Sequence, residues 1–339
     1  MATSGEIHPV AGRYAGVKVV VLGAAGFIGR SVARALFVCG AEVVLVVRDA
    51  TAAAALFRDL GIVGRVVACD LEQVVTVRDL IRREEPRIVF NLAGYGVDPA
   101  ERDETRAYGL NAALVGAVCD ALPPLAPGWS GERVVHAGSA LEYGNAGGSL
   151  VESTTPRPTT LYGQSKLEGT RLLQQRCVAA GLRGVCARLF TVYGPGELPG
   201  RLLPTLIAAS RTAEPVLLSA GLQRRDFTYV EDAASGLLRL GVAHVEPGAV
   251  VNLATGSLMT VRSFAATAAT VLGIAADRLR FGALPTRPEE MHHDAVNVQR
   301  LERLTDWRPR VMPPDGIRRT ATAAGLIDRT TAVATGAGR

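Results

Sequence analysis

An α/β fold built on a doubly wound parallel sheet, carrying a smaller mixed α/β lobe, is what the sequence predicts. Three observations carry that prediction. A short β-branched run, Val17 to Leu22, empties into a glycine-rich turn and then a helical pattern. Strand-like and helix-like stretches then alternate in order as far as Phe190, the rhythm of parallel strands joined by crossover helices. Beyond residue 192 prolines and glycines break the rhythm, which returns only over 226–255. The expected division is a flexible lead-in at 1–16, a sheet domain at 17–191 with 226–255, a lobe at 192–225 with 256–325, and a fraying tail at 326–339.

The first turn reads Gly23-Ala24-Ala25-Gly26-Phe27-Ile28-Gly29. Glycines at such a strand-to-helix turn let the backbone bend tightly and approach a pyrophosphate, which then rests on the helix N-terminus. The second strand, Glu42 to Val47, is followed by Arg48 and Asp49. An acidic residue ending this strand would bind ribose hydroxyls and favour NAD; an arginine there suits a 2′-phosphate and favours NADP. The strand's last residue reads as Val47, so NADP is expected, and Asp49 keeps NAD as the alternative. A third strand, Arg65 to Ala68, delivers Asp70 and Leu71 to where an adenine would lie, and Glu72 to Glu85 reads as a helix. Arg87 to Asn91 is the fourth strand, ending in Leu92-Ala93-Gly94. The charged run Glu101 to Arg106 reads as a solvated start to a helix that passes Asn111 and stops at Pro123-Pro124. The fifth strand, Arg133 to Ala137, brings Gly138-Ser139 to its carboxyl end, where such sheets bind ligands.

After Pro156 and Pro158 comes Leu161-Tyr162-Gly163-Gln164-Ser165-Lys166. Tyr162 and Lys166 stand four apart, on one face of a helix. A phenol alone titrates near pH 10, and a neighbouring ammonium is expected to bring it toward working range. Of the 37 basic residues only Lys18 and Lys166 are lysines. A chain that otherwise writes arginine uses a compact ammonium here.

Composition sets bounds. The 339 residues, 48% hydrophobic and 20% charged, suit an ordinary globular enzyme. The net charge of +5 is spread without a dense basic run, so nucleic acid is not an expected partner while small anions are. Five scattered cysteines read as reduced core thiols of a cytoplasmic protein. Neither a signal peptide nor a membrane span is expected. His292-His293-Asp294 lacks spaced partner ligands, so no metal is expected.

Taken in order, GAAGFIG at 23–29, NLAG at 91–94, Asn111, Gly138-Ser139, YGQSK at 162–166, ARLFTVYGPG at 187–196, QRRDFTYVED at 223–232 and RPEEMHHD at 287–294 resemble the extended short-chain dehydrogenase/reductases, in the NAD-dependent epimerase/dehydratase branch. The resemblance spans about residues 17–310 and implies a Rossmann-type domain. It implies that Tyr162 is the general acid or base, that Lys166 lowers its pKa and binds the nicotinamide ribose, and that Ser139 hydrogen-bonds the reacting oxygen. Gly23, Ala25, Gly26, Phe27, Ile28, Gly29, Arg48, Asp70, Leu71, Leu92, Ala93, Gly94 and Asn111 would contact the cofactor. Ala140, Leu141, Thr191 and Arg201 would face the substrate, and Arg225 and Arg287 would grip a nucleotide diphosphate.

Departures from the family's pattern narrow the reaction. The family's 4,6-dehydratases carry an Asp-Glu pair directly after the active-site Ser/Thr, whereas Ala140 and Leu141 cannot transfer protons. The stretch GSALEYG at 138–144 is similar to reductases of 4-keto-6-deoxy sugars. Thr191 stands where the family often has asparagine. The expectation is an NADPH-dependent 4-ketoreductase of a nucleotide-linked, dTDP-type 4-keto-6-deoxyhexose, serving deoxysugar and antibiotic biosynthesis. The alternative is a nucleotide-sugar 4-epimerase with tightly bound NAD. A non-catalytic dinucleotide sensor would predict a broken catalytic set, and Ser139, Tyr162 and Lys166 are all present. The resemblance further implies a homodimer formed through the Asn111 and Tyr162 helices.

Overall fold

A computed structural model of the chain describes residues 10–98, 100–286 and 290–327. Seven strands form one parallel sheet: β1 (Lys18–Leu22), β2 (Glu42–Val47), β3 (Arg65–Ala68), β4 (Ile88–Asn91), β5 (Val134–Ser139), β6 (Gly184–Leu189) and β7 (Ala249–Leu253), in the order β7-β6-β5-β4-β1-β2-β3. The order reverses at β1, which pairs with both β2 and β4, so a crevice opens outside the carboxyl ends of β1 and β4.

Side chains alternate between the two faces and build two cores. Val19, Val21, Phe90 and Val135 pack under α1 (Phe27–Val38) and α6 (Val230–Val242). Val20, Leu22, Val89 and Val134 pack under α3 (Val74–Glu84), α4 (Glu104–Tyr108 with Leu114–Ala121) and α5 (Leu161–Ala180). Helices on both faces explain why the strands read as unbroken apolar runs. Helix α2 (Ala50–Asp59) is capped by Asp49, whose carboxylate accepts the Ala52 amide at 3.0 Å.

Helix α4 is not continuous. Glu104–Tyr108 and Leu114–Ala121 are joined by a π-turn at Gly109–Ala113 that contains Asn111. Helix α5 packs against that turn through Gly169, where a Cβ would lie 2.0 Å from the Asn111 carbonyl oxygen. Within the charged run, Glu101 departs from the solvated reading: it is half-buried and accepts the Gly96 amide at 2.7 Å.

The lobe has its own core of Tyr193, Leu203, Phe227, Phe264 and Ile317, with the Phe227 and Phe264 rings stacked at 4.0 Å. Strand Arg224–Tyr229 joins it to the sheet domain by pairing in parallel with Thr191–Tyr193. Two expectations about the termini need correction. Residues 10–16 are not a loose lead-in: Ala11–Tyr14 is a short helix, and buried Tyr14 packs on Phe90 and Trp129 while its hydroxyl donates to the Leu238 carbonyl at 2.8 Å. Leu326 does not fray; it packs on the lobe core, and its amide bonds the Ala321 carbonyl at 3.0 Å. The rest of the expected tail, 328–339, and residues 1–9 lie outside the described residues. All five cysteines are buried and free. No helix among the described residues is long and apolar enough to cross a membrane.

Candidate active site

The glycine turn is shaped by contacts that a side chain would block. Gly23 takes φ +76°, and a Cβ on Gly29 would lie 2.1 Å from the Gly23 carbonyl oxygen. Helix α1 therefore sits directly against the end of β1. Its N-cap is Gly26, with no side-chain cap, so the first-turn amides around Phe27 and Ile28 are left for an anion. Ala25 is half-buried beside them. Arg48 and Asp49 are both exposed at the end of β2, which ends at Val47; the Asp49 carboxylate is engaged in capping α2. At the end of β3, exposed Asp70 accepts the Glu72 amide at 3.1 Å and Leu71 is half-buried. Beyond β4, Leu92 and Ala93 line the back of the turn, where a Cβ on Gly23 would meet Ala93 N at 3.0 Å. Exposed Gly94 leaves room for Asn111 and Lys166, each of which would lie 3.2 Å from a Cβ there. A cradle that tolerates no side chain, followed by an uncapped twelve-residue helix, fits a dinucleotide pyrophosphate.

Beyond the cradle the structure brings Ser139, Tyr162 and Lys166 together. Thr160 caps α5 by accepting the Gly163 amide at 3.0 Å. Gly163 lets α5 pack onto the backbone of Leu141, where a Cβ would lie 2.4 Å from that carbonyl oxygen. This contact carries Tyr162 toward Ser139, whose hydroxyl is close enough to act on the phenol. Lys166 is buried, its Nζ donating to the carbonyls of Ala93 at 3.3 Å and Ala137 at 3.0 Å. Asn111 donates to the Tyr95 carbonyl at 2.8 Å and to the Ser165 hydroxyl at 2.9 Å, tying α4 to α5.

The electrostatics correct one expectation. Burial, followed by the nearby Glu142 charge, pushes the Tyr162 phenol up to about 12, against the opposing pull of the Ser139 hydroxyl and Arg201. The Lys166 ammonium does not bring it down: Nζ lies 5.9 Å from the ring centroid and is turned toward backbone carbonyls. Burial depresses Lys166 itself to about 8, with Glu142 and Cys186 opposing. At neutral pH the phenol is therefore protonated and the amine largely charged.

Around these groups the substrate-side candidates are spread more widely. Ala140 is buried and Leu141 half-buried, one short helical turn beyond Ser139. Thr191 is half-buried at the start of its short strand. Arg201, 3.7 Å from Glu197, is close enough for its charge to act on Tyr162. Arg225 pairs with Glu290, and its charge bears on His293, whose ring packs against Phe190 directly after β6. Arg287 lies outside the described residues.

Sequence reasoning left Glu142 without a role at the site. Its carboxylate accepts the Ser139 amide at 2.8 Å, Arg188 Nε at 2.8 Å and the Thr170 hydroxyl at 3.0 Å. It holds Ser139 in place. The available signal was the Ser-x-x-Glu capping box at 139–142.

The fold and the site define a nicotinamide-dependent enzyme of the Rossmann class. More closely, the chain belongs to the NAD dependent epimerase/dehydratase family, whose family model matches residues 19–254. The dTDP-6-deoxy-L-talose 4-dehydrogenase (NAD(P)(+)) of Kitasatospora kifunensis is 30% identical over 318 residues, 90% of this chain and 95% of its own. The GDP-6-deoxy-D-mannose reductase of Pseudomonas aeruginosa is 28% identical, over 69% of this chain and 79% of its own. Among solved structures, MoeE5 in complex with UDP-glucose and NAD is 28% identical with a TM-score of 0.76, over 91% of this chain and 99% of its own. The UDP-glucuronic acid 4-epimerase of Bacillus cereus shares the fold at a TM-score of 0.79 and 23% identity, over 91% of this chain and all (100%) of its own.

Proposed function

We propose that this enzyme reduces the C4 keto group of a nucleotide-linked, dTDP-type 4-keto-6-deoxyhexose, with NADPH as reductant. The observation that carries the reading is that Ala140 and Leu141, neither able to transfer a proton, directly follow Ser139 where water loss would need an acid and a base. The two curated relatives named above, a 4-dehydrogenase and a reductase of 6-deoxy sugars, support it. Exposed Arg48 after Val47 supports NADPH, since a guanidinium there matches a 2′-phosphate.

The glycine cradle and the first turn of α1 would hold the dinucleotide, with Arg48, Asp70 and Leu71 toward its adenosine end and Leu92 to Gly94, Asn111 and Lys166 toward its nicotinamide end. When bound, the reduced nicotinamide supplies the hydride. Ser139 donates a hydrogen bond to the C4 carbonyl oxygen and polarises it. Tyr162, a phenol protonated at neutral pH, hydrogen-bonds the same oxygen and gives it a proton as negative charge develops. Lys166, its Nζ turned to the Ala93 and Ala137 carbonyls, would bind the nicotinamide ribose and so orient the cofactor. Thr191, Arg201, Arg225 and Arg287 would bind the sugar nucleotide, the arginines as forks for its diphosphate.

The test is direct. With NADPH and a dTDP-4-keto-6-deoxyhexose, near-ultraviolet absorbance of the reduced cofactor should fall in step with alcohol formed. Tyr162→Phe should bind both ligands and lose turnover by about 10²–10⁴-fold; wild-type turnover in that variant would remove the mechanism. A 4-epimerase with tightly held NAD is the second reading, supported by MoeE5 with its bound UDP-glucose and NAD. It predicts interconversion of two sugar nucleotides without net cofactor consumption. We place the enzyme in the cytoplasm, in deoxysugar and antibiotic biosynthesis, as a homodimer through α4 and α5. The division into 17–191 with 226–255 and 192–225 with 256–325 stands as part of this proposal. Light scattering on the eluting protein reads the oligomeric state.

A further inference from the structure

Beneath the Lys166 ammonium lies a polar floor that the reaction above does not use. In the parallel register Asn91 of β4 stands opposite His136 of β5, and His136 opposite Cys186 of β6. Residues opposite one another in a parallel pair share a face, and here it is the face packed by α4 and α5, since Val89, Val134 and Cys186 belong to that core. Lys166 comes down onto it from α5. Its Nζ bonds the carbonyls of Ala137, the residue after His136 on β5, and of Ala93, two residues past Asn91 and beyond β4.

Asn91 and His136 are both fully buried. Neither atom of the Asn91 amide and neither ring nitrogen of His136 has a hydrogen-bond partner among the described residues. The Asn91 backbone bears weakly on the imidazole without a hydrogen bond of sound geometry. Two adjacent polar side chains with all their polar atoms unpaired are costly in a dry interior, and a buried water with about three polar partners is the usual remedy. We propose that Asn91 and His136 hold a buried water against the Lys166 ammonium, and that His136 is thereby a positioning residue that keeps Lys166 charged.

The charges around the floor agree with this arrangement. Facing Lys166 are Glu142 after β5, Cys186 on β6, Tyr162 on its own helix, and the neutral Asn111 from the α4 π-turn; Arg188 is taken up by Glu142. Burial and the Lys166 charge hold His136 neutral, so one ring nitrogen donates and the other accepts. An oriented water between such groups offsets the desolvation that burial imposes on the ammonium.

The proposal deepens the reading of Lys166 as the ammonium beside the cofactor, and its test needs neither cofactor nor substrate. Because Lys18 and Lys166 are the only lysines, ¹³C-labelled lysine gives two side-chain signals, with Lys18 as internal reference. Titrated from about pH 6 to 11, spanning the ordinary His and Lys values, Lys166 in the wild type should show its midpoint above the value of about 8 to which burial, opposed by Glu142 and Cys186, brings it. In His136→Leu and in Asn91→Leu the midpoint should fall by roughly one pH unit, while His136→Gln, which keeps a polar floor, should stay within a few tenths. A Leu variant that folds and titrates as the wild type overturns the proposal. Should the Leu variants not fold, the wild type decides: a rotating-frame cross-peak between a long-lived water and the His136 ring supports the proposal, and its absence sinks it.

Discussion

Glu142→Leu would show how much of the site one buried carboxylate sustains. Glu142 is fully buried and accepts three hydrogen bonds, from Ser139 N, Arg188 Nε and Thr170 Oγ1. Removing it strands the Arg188 guanidinium, itself 3% exposed, in a dry interior where its Nη1 already lacks a partner among the described residues. Removing one member of a buried pair costs about 3–5 kcal/mol, a large share of the ~5–15 kcal/mol that typically holds a protein folded. In urea, with the upper slope of about 3 kcal/mol per molar that suits a chain of this size, the midpoint should fall by on the order of 1–2 M. A second variant separates charge from position. Glu142→Leu with Arg188→Met replaces both partners by apolar groups and should recover most of the stability. It should not recover turnover, because the Ser139 amide stays unpaired and its hydroxyl loses its fixed aim at the reacting oxygen. A single variant within about 1 kcal/mol of wild type, or a double variant no more stable than the single, would refute the reasoning.

Three other outcomes are expected. Gly29→Ala places a methyl 2.1 Å from the Gly23 carbonyl oxygen, forcing α1 off the turn, and should weaken NADPH binding more than about tenfold by fluorescence titration; unchanged affinity would mean that the cradle is not where the pyrophosphate rests. Arg48→Ala should lower kcat/KM for NADPH by about 10–100-fold, the worth of a charge-assisted hydrogen bond, and leave NADH untouched; equal losses with both cofactors would argue against a 2′-phosphate contact. Folded Lys166 titrates near 8, below its ordinary 10.5, so between those values the unfolded chain binds more protons and stability must rise with pH. Relative to Lys166→Met, the wild type should therefore gain up to about 3 kcal/mol as pH climbs through that window; parallel stability curves would contradict the burial of the ammonium.

Much of the sheet was legible because its inner strands are buried on both faces and so had to be written as apolar runs. Val17 to Leu22 and Glu42 to Val47 give themselves away in this manner, and the tight turn after the first needs glycine for steric reasons visible in the letters alone. The pair Tyr162 and Lys166 was legible because helical spacing places them together. What escaped depends on groups far apart in the chain. Glu142 meets Thr170 and Arg188 only after β5, α5 and β6 have packed, and nothing local marks that meeting. The rise in the Tyr162 pKa escaped for a similar reason: spacing shows the ammonium nearby, but not that Lys166 turns to the Ala93 and Ala137 carbonyls while burial governs the phenol. The burial of Tyr14 depended on a pocket formed by Phe90 and Trp129, more than seventy residues away.

The interruption at Gly109–Ala113 has a consequence for what length of chain this molecule can accept. Such a turn is an α-helix with one residue too many, absorbed in a single widened loop. Shorten it by that residue and the rod straightens, swinging one flank about 100° relative to the other. Either Asn111 leaves Tyr95 and Ser165, or Leu114 to Ala121 leave the sheet. Surface loops elsewhere can grow or shrink across related chains, but between Glu104 and Ala121 the count of residues is itself part of the machinery.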